Sequence, residues 1–494
     1  MRLGIDFGTT HTIVSMCDRG NYPVVAFVDD HGVTSEAYPS VCAEKNGKIV
    51  FGLEAAGLAG DEEWNYVRSF KRLLCKPSGL LQIGGTEISP LDLVSGFTQA
   101  LIRDLRERSN YPKDEPIEEV ILATPADAKS WQRFWTLEGF RAAGLNVISV
   151  LSEPAAAGVE YADRHGKTFN SVRQKFLVFD LGGGTFDVSL MAFNHRYHEL
   201  LNHAGINDFG GDNFDQELAK LVMSEAGVDK DSLTAFEYVS LMQSCKFAKE
   251  SISPNTRKVA VELKGELYPV SVADFYDACS PRLLEAIDLA VQVAGDAGEL
   301  AGIYVVGGAS SLPLVGRMLR EKFSKRVRRT SYPAASIAIG LAIAFDPAQS
   351  VEVSELESSH FGVFRELKSG DDISFDSIFE ELRSVQPGSG MTVSKTREYR
   401  AAHNIGHYRF AKCATVAQDG SPKGELSLAG EFYFPFDVSL RSKKNALSDL
   451  EVTRINGEGP MIREEYTLDI NGQLTLEILA VESGFRQKHQ ISFS

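Results

Sequence analysis

The sequence predicts an α/β domain built from two related lobes, followed by a small β-sandwich. Three observations lead to this prediction. From residue 1 to about residue 347, short apolar segments alternate with helical patterns, which is typical of α/β proteins. Residues 4–16, GIDFGTTHTIVSM, and residues 177–191, LVFDLGGGTFDVSLM, repeat one pattern. Beyond residue 360 the helical patterns mostly give way to the period-two alternation of strands.

Composition and charge narrow the possible functions. The chain has 494 residues, 43% of them hydrophobic, and a formal net charge of −16 without long basic segments. This charge disfavours binding to nucleic acid or to an anionic membrane surface. The N-terminal residues show no apolar signal segment, and no apolar run is long enough to span a membrane. Six scattered cysteines indicate free thiols, and we expect a cytoplasmic protein.

The first domain should alternate strands and helices in chain order. Apolar β-type runs bounded by turn residues predict strands, and apolar residues at helical spacing predict helices. The predicted strands include 120–123, 147–151, 177–179 and 303–306. The predicted helices are 90–109, 128–143, 154–164, 212–226, 235–252, 272–295 and 312–323.

Each repeated segment is predicted to be a tight hairpin with a carboxylate, Asp6 or Asp180, at the end of its first strand. Glycines in the turn let backbone N–H groups face a ligand, and such a loop can bind an anion. The adjacent carboxylate suits a phosphate that arrives with Mg²⁺. For one hairpin, a simple buried turn is an equally good interpretation. A second carboxylate at the same offset favours a nucleotide site between the lobes.

Four further segments carry candidate site residues, and each has a simpler alternative. Lys71 could reach a terminal phosphate or be a solvated surface lysine. Glu153 precedes Pro154 and could serve a metal site or cap a helix. Residues 307–313, GGASSLP, could support a base or form a plain strand-to-helix turn. Residues 205–215 form a Gly/Asp-rich loop that could equally be a capped turn.

The C-terminal part begins with an acidic, polar segment, 348–360, which is typical of a linker. The domain 361–494 is predicted to be a β-sandwich with one possible helix at 376–384. Two period-two faces support the strands. The first comprises Phe432, Phe434, Phe436, Val438 and Leu440; the second comprises Leu474, Leu476 and Ile478.

Taken together, the motifs resemble a known family. The ordered set is GIDFGTT, SFKRLL, ATPA, SEPAAAGVEYA, FDLGGGTFDVS, FGGDNFD and VVGGASSLP. It resembles the nucleotide-binding domain of the seventy-kilodalton heat-shock chaperones (DnaK-type), within the actin/hexokinase-like ATPase superfamily. The resemblance covers residues 1–347. It implies a duplicated actin-like (ribonuclease H-like) ATPase domain that binds ATP or ADP with Mg²⁺.

The resemblance also implies a set of site residues. The residues expected to act in hydrolysis are Lys71, Glu153, Asp180 and Thr185. The residues expected to hold Mg²⁺, largely through water, are Asp6, Asp180 and Asp187. The residues expected to bind the nucleotide are Gly8, Thr9, Thr10, His11, Gly182, Gly183, Gly184, Thr185, Gly210, Gly211, Lys246, Lys249, Glu250, Ser253, Gly307, Gly308, Ala309 and Ser311. The residues expected to relay nucleotide state to the linker are Pro125 and Arg133.

Several positions depart from the family pattern. His11 stands where the family usually has Asn, and Lys246 replaces an acidic residue. Glu250 and Ser311 replace the two arginines that stack on adenine, and Ala334 replaces an aspartate. The phosphate end therefore matches the family and the base end does not. Each lost stacking contact is worth ~1 kcal/mol, so we expect weak discrimination for adenine.

Residues 466–491 are similar to the end of the family's peptide-binding β-domain, although the linker lacks the family's leucine run and no helical lid is expected. The resemblance implies a slow ATP-hydrolysing, chaperone-like protein whose nucleotide state biases binding of unfolded polypeptide, with possible co-chaperones. One alternative is a nucleotide-sensing adaptor that docks one specific partner. A polymerising actin-like protein and a sugar kinase are further alternatives, which the appended β-domain and the lack of a clear catalytic base disfavour.

Overall fold

A computed structural model describes residues 1–75, 79–126, 128, 130–165, 174–194, 197–206, 208–295, 300–346, 360–367, 372–380, 393–441, 447–468 and 474–491. These residues divide into two compact units. The first unit contains the described residues of 1–76, 80–127 and 135–353, and the second contains those of 77–79, 128–134 and 354–494. The linker expected at 348–360 lies outside the described residues except for His360, so this boundary stays a prediction.

Strands β1 to β19 precede the expected linker. They are β1 (Arg2–Phe7), β2 (His11–Cys17), β3 (Phe27–Val28), β4 (Thr34–Ser35), β5 (Tyr38–Pro39), β6 (Val41–Lys45), β7 (Lys48–Phe51), β8 (Asn65–Arg68), β9 (Leu81–Ile83), β10 (Thr86–Ile88), β11 (Glu119–Thr124), β12 (Val147–Ser152), β13 (Lys175–Leu181), β14 (Phe186–Asn194), β15 (Tyr197–Ile206), β16 (Lys258–Leu263), β17 (Glu266–Ser271), β18 (Leu300–Val306) and β19 (Val327–Arg329). The α-helices are α1 (Gly52–Ala56), α2 (Pro90–Glu107), α3 (Ser130–Ala142), α4 (Glu153–His165), α5 (Gly211–Ala226), α6 (Ala235–Glu250), α7 (Val272–Ala294), α8 (Pro313–Phe323) and α9 (Ser336–Ile343).

Two sheets of the first unit share one plan. In the first lobe the strands run in the order β12-β11-β1-β2-β5, and in the second lobe in the order β15-β14-β13-β18-β19. In each lobe one strand forms an antiparallel hairpin on one side and a parallel pair on the other: β1 with β2 and β11, and β13 with β14 and β18. The predicted duplication is therefore confirmed at the level of strand topology.

Helix α9 packs so closely against α4 and β1 that each of these two contacts requires a glycine. All eight of its residues are buried. A Cβ added at Gly340 would lie 1.9 Å from the carbonyl oxygen of Ala156 on α4, and one added at Gly4 on β1 would lie 2.5 Å from that of Ala338. The hairpin strand β1 and the helix α4 are thus held against one shared helix, which sets the distance between the elements that carry Asp6 and Glu153.

Most predicted elements are confirmed, with bounds within a few residues. The four predicted strands correspond to β11, β12, β13 and β18, and the seven predicted helices correspond to α2 to α8. Helices α1 and α9 were not predicted. Helix α1 has only five residues, and α9 is apolar on every side, so neither shows the periodicity of an amphipathic helix.

The second unit contains a β-sandwich, as predicted. Its strands are β20 (His360–Leu367), β21 (Asp372–Phe379), β22 (Val393–Arg400), β23 (Ile405–Val416), β24 (Pro422–Pro435), β25 (Met461–Leu468), β26 (Leu474–Ala480) and β27 (Phe485–Ile491). Two antiparallel sheets, β21-β20-β23-β24 and β22-β25-β26-β27, enclose one hydrophobic core. The alternation predicted for β26 is confirmed, because Leu474, Leu476 and Ile478 are buried and the residues between them are half-buried.

Two details of the β-domain prediction are wrong. The helix expected at 376–384 is contradicted where it is described, because residues 372–379 form β21 and pair with β20. Tertiary pairing overrides the local helical pattern there. The strand face predicted from Phe432 to Leu440 is shorter than expected, because β24 ends at Pro435. Val438–Leu440 is a 3₁₀ helix, and Val438 is 66% exposed. Proline cannot extend the strand ladder.

A buried ionic network lies inside the sandwich. Glu464 is fully buried and accepts hydrogen bonds from Arg365 at 2.6 Å and from Tyr466 at 2.7 Å. Tyr399 donates to the same carboxylate at 2.5 Å and contacts the Tyr408 hydroxyl at 2.6 Å. The buried charge of Glu464 is thereby paired and hydrogen-bonded, which is the condition for tolerating it in a core.

We expect Gly340→Ala to lower the free energy of unfolding by roughly 1–3 kcal/mol, because the added methyl group overlaps the Ala156 carbonyl. At a helix position with free space, the same change would instead add ~1 kcal/mol of stability. Gly316 on α8 is the matched control, since its added Cβ would meet only arginine side chains at 3.5 Å. Urea unfolding of both variants measures the difference. A Gly340→Ala variant as stable as Gly316→Ala would contradict the tight packing of α9.

Candidate functional site

The two hairpin loops lie against each other. The turn Gly8–Thr10 joins β1 to β2, and its Gly8 N–H donates to the Asp6 carbonyl at 3.1 Å. In the second turn, Gly182 N–H donates to the Thr185 carbonyl at 3.0 Å. A Cβ added at Gly183 would lie 2.4 Å from Thr10 Oγ1. The loops therefore approach to van der Waals contact, and the missing side chain makes this approach possible.

Carboxylates gather beneath these loops. Asp6 is buried, and this burial and the charge of Glu153 together raise its pKa to about 7, against the opposing charge of the Lys71 ammonium group. Burial also raises the pKa of Asp180 well above its ordinary value, and Glu153, Asp187 and Asp6 add to this shift. Negative charge is thus concentrated where little water reaches it, so a cation bound there would be strongly favoured.

Within the described ranges, no three His, Cys, Asp or Glu side chains are arranged to hold a metal ion directly. The three metal ligands expected from the sequence therefore remain a proposal in which water supplies much of the coordination.

Lys71 lies at the end of β1, beside this cluster. It belongs to the 3₁₀ helix Phe70–Cys75, and its Nζ donates to the Phe7 carbonyl. The same nitrogen lies 3.9 Å from Glu153 Oε1, and the two side chains are only 14% and 15% exposed. Glu153 begins α4. The fold therefore brings together a lysine and a glutamate that are 82 positions apart in the sequence.

Two further glycine segments pack against the hairpin loops, and the region that these loops and segments surround is termed the cleft. Gly211 N–H donates to the Gly182 carbonyl at 3.0 Å, and a Cβ added at Gly210 would lie 2.7 Å from Gly183. Gly307 has φ +84°, and its added Cβ would lie 2.4 Å from Asp180 Oδ1. The start of α5 and the end of β18 are thus both packed on the second hairpin loop.

Lys249 connects α6 to this assembly. It is buried, donates to the Gly211 carbonyl at 3.0 Å and forms an ion pair with Asp215 at 2.7 Å. The Ala309 Cβ lies 3.2 Å from where a Gly211 Cβ would stand, so the 307–311 segment reaches the same place. With its carboxylate partner in place, Lys249 serves to hold the loop.

The other residues expected to contact the nucleotide base are more exposed to solvent. Gly308, Ser311 and Glu250 are exposed. The Ser253 hydroxyl contacts Thr256 Oγ1 at 2.9 Å within a local turn. These residues are thus exposed, and their contact with a nucleotide base stays a prediction.

His11 and Lys246 meet across the cleft. Lys246 Nζ lies 3.0 Å from His11 Nε2, and His11 Nδ1 lies 3.1 Å from Thr10 Oγ1. Burial lowers the pKa of His11 to about 3, with the positive charges of Lys246, Arg68 and Lys249 contributing. The ring is therefore neutral at neutral pH.

Sequence reasoning missed two arginines. Arg72 donates to the Gly184 carbonyl at 2.8 Å and so supports the second loop from the first lobe. Arg68 lies 3.7 Å from Asp212 at the start of α5. Arg72 directly follows Lys71, but its contact is 112 positions away in the sequence, and no local pattern indicates it.

The resemblance assigns Pro125 and Arg133 to a relay of nucleotide state. Pro125 directly follows β11 and is half-buried, whereas Arg133 on α3 is fully buried. Their relay role stays a prediction.

A duplicated α/β unit with paired Asp-bearing hairpins, followed along the chain by a β-sandwich, defines the class of actin-like ATPase folds that carry a β-domain. Residues 82–356 match the family model "Hsp70 protein", which spans more than half of the chain. The protein belongs to this family of heat-shock chaperones.

Curated relatives agree with this assignment. The chain is 30% identical to the chaperone protein HscA homolog of Acidithiobacillus ferrooxidans over 378 residues, which cover 70% of this chain and 58% of the relative. It is 28% identical to the HscA homolog of Polynucleobacter necessarius over 370 residues, with the same coverage. It is 27% identical to the chaperone protein DnaK of Metamycoplasma hominis over 357 residues, 69% of this chain and 58% of the relative. The matches thus span little more than half the length of these relatives.

Among the described helices, none is both long enough and apolar enough to cross a membrane.

The raised pKa of Asp6 predicts a pH-dependent stability. The folded chain binds the Asp6 proton up to about pH 7, whereas an unfolded chain releases it near pH 3.8. The contribution of Asp6 to the free energy of unfolding should therefore fall as pH rises from 4 to 7 without added metal, whereas that of His11, whose pKa is lowered to about 3, should rise. We expect Asp6→Asn to stabilise the protein at pH 8 by roughly 1–3 kcal/mol and to have little effect at pH 4.

Urea unfolding at both pH values tests this, and Glu225→Gln, which changes an exposed carboxylate on α5, is the control. Mg²⁺ should stabilise the wild-type protein at pH 8 more than the Asp6→Asn variant. An Asp6→Asn variant that is equally destabilised at pH 4 and pH 8 would argue against the electrostatic cost of Asp6.

Proposed function

We propose that this protein binds ATP with Mg²⁺ in the cleft of its first unit and hydrolyses it slowly, as a chaperone-like ATPase. The observation that carries the proposal is the contact between the two hairpin loops, each of which has an aspartate at the end of its first strand. Membership of the Hsp70 family supports it.

The residues present fit a nucleotide with its metal ion. Gly183, Gly210 and Gly307 stand where a Cβ would overlap neighbouring loops, so backbone can surround a phosphate chain closely. The pKa values of Asp6 and Asp180 are raised, and a bound divalent cation would lower them by stabilising the ionised carboxylates. We therefore assign Asp6, Asp180 and Asp187 to the metal, largely through water. When bound, Mg²⁺ would neutralise charge on the phosphate oxygens.

The chain's own residues would position the reacting groups. Phosphoryl transfer depends chiefly on alignment and electrostatic stabilisation. Lys71 is held at the end of β1 by the Phe7 carbonyl and by Glu153, so its charge is fixed beside the loops. We propose that Lys71 and Glu153 orient the attacking water. Asp180 would hold the metal, and the Thr185 hydroxyl would contact the terminal phosphate.

The β-sandwich would bind polypeptide. Its architecture and the family membership support an unfolded chain, or one specific protein client, as the partner, with nucleotide state biasing the binding. Co-chaperones are further partners in this proposal. In this proposal the protein acts in the cytoplasm. A nucleotide-sensing adaptor with a single partner is the alternative.

Single-turnover ATP hydrolysis, measured with and without an unfolded peptide, tests the proposal. A chaperone cycle predicts slow hydrolysis, a rate that the peptide changes, and peptide binding that differs between ATP and ADP. A hydrolysis rate that the peptide does not change would favour the nucleotide-sensing adaptor. A protein that neither binds nor hydrolyses ATP would refute the ATPase.

We expect Lys71→Ala to retain Mg·ATP binding while slowing hydrolysis at least ~100-fold, because a fixed charge in phosphoryl transfer is worth several kcal/mol. Single-turnover hydrolysis measures the rate, and calorimetry measures the binding. Lys220→Ala, which removes an exposed lysine paired with Glu217 on α5, is the control for net charge. Hydrolysis by Lys71→Ala at the control rate would exclude this role for Lys71.

We expect weak discrimination between ATP and GTP, because no arginine stands at positions 250 and 311. Glu250→Arg should tighten ATP binding by several-fold, through a cation–π contact with the base of ~1 kcal/mol. Titration calorimetry with both nucleotides measures the effect. Glu225→Arg makes the same charge change at another exposed site. A strong ATP preference in the wild-type protein would mean that other residues recognise adenine.

A further inference from the structure

Lys246 is a half-buried cation whose neighbours do not neutralise it. Within the part of the chain that the structure describes, no carboxylate lies within ion-pair distance of its ammonium group, and its hydrogen-bond partner is His11 Nε2 at 3.0 Å. Glu250, one helical turn away, attracts it at longer range. An ammonium group has three hydrogens to donate, so most of its hydrogen-bonding capacity remains for another partner.

The two neighbouring cations have carboxylate partners. Lys249 pairs with Asp215 at 2.7 Å, and Arg68 lies 3.7 Å from Asp212. Both repel Lys246 and, together with its burial, lower its pKa. A cation held in such surroundings favours a bound anion, because an added negative charge would relieve both the burial and the repulsion.

The position of Lys246 points to the phosphate chain as that anion. An ammonium group only donates, so His11 Nε2 accepts from Lys246, and the proton of the neutral ring lies on Nδ1, which donates to Thr10 Oγ1. Thr10 in turn touches the second hairpin loop at Gly183. The chain of contacts Lys246–His11–Thr10 therefore runs from α6 to the place where the two phosphate loops meet.

The two lysines contact different strands of the first hairpin, Lys71 at Phe7 on β1 and Lys246 at His11 on β2. Lys71 is beside Asp6 and Glu153, whereas Lys246 is beside His11 and Thr10, at the second strand of the same hairpin. A polyphosphate lying along the Gly8–Thr10 turn would have one positive charge near each end. Lys71 belongs to the first lobe and Lys246 to the second.

We propose that Lys246 is a phosphate-binding residue that determines ligand class: the cleft selects polyphosphate charge, and the base contributes little. This inference deepens the proposed function and rests on it. His11 holds the ammonium group at the loop until the ligand arrives. Affinity should then follow the number of phosphates, fall with salt, and be similar for different bases.

The test is titration calorimetry of the full chain with ATP, GTP, inorganic tripolyphosphate and adenosine, each with Mg²⁺. We expect Lys246→Gln to weaken binding of ATP, GTP and tripolyphosphate alike, by roughly 10- to 100-fold, since a hydrogen bond to a charged group is lost. Lys246→Arg should keep most of the affinity. Lys220→Gln on α5 removes the same charge away from the cleft and should bind as the wild-type protein does. Thermal unfolding shows whether each variant is folded.

The outcomes separate the inference from the proposed function. Lys246→Gln binding ATP and tripolyphosphate as tightly as wild type would overturn the inference and leave the ATPase intact. Equal weakening of ATP and adenosine, with tripolyphosphate unchanged, would also overturn it, because Lys246 would then contact the nucleoside. If wild-type protein binds tripolyphosphate through Lys246 but never hydrolyses ATP, the inference holds and the proposed function fails. A wild-type protein that binds none of these anions would overturn both.

Discussion

Like charges held close together in a poorly solvated cleft are the constraint on which the first unit depends. Burial raises the pKa of both Asp6 and Asp180, the charge of Glu153 adds to both shifts, and the Lys71 ammonium group only partly compensates at Asp6. Such an arrangement is costly unless a cation occupies it. The packing around it must therefore be strong enough to prevent the two hairpins from separating. The electrostatic cost of the empty cleft becomes part of the free energy gained when a cation binds.

The required close packing occurs at glycines, which have no side chain. Glycines at positions 4, 183, 210, 307 and 340 each let backbone approach a neighbour at a distance that a methyl group would forbid. Because the contacts involve backbone atoms, the loops have few alternative arrangements. Lys249 and Arg72 then fix the loops through carbonyl oxygens. The cleft is thus organised before any ligand enters, and little ordering would be needed on binding.

The sequence predicts those features whose cause is local. The two hairpins follow from apolar runs interrupted by glycine, and the sandwich follows from alternation such as that of β26. Helix α9 could not be predicted, because a helix buried on every side has no polar face to mark its period. The strand β21 was mistaken for a helix because its pairing with β20 overrides local preference. Arg72 was missed because its partner is remote in the chain, and Lys71 was found only through the family motif.

The ionic network of the second unit limits which amino-acid substitutions this domain can accept. Arg365 and Glu464 come from different sheets and neutralise each other in a core that excludes water. Replacing Arg365 alone leaves the buried Glu464 carboxylate among Tyr399, Tyr408 and Tyr466 without its cation, whereas replacing Glu464 alone leaves Arg365 paired with Asp376 at 2.8 Å. Related sequences that lack the arginine at position 365 should therefore lack the glutamate at position 464 as well.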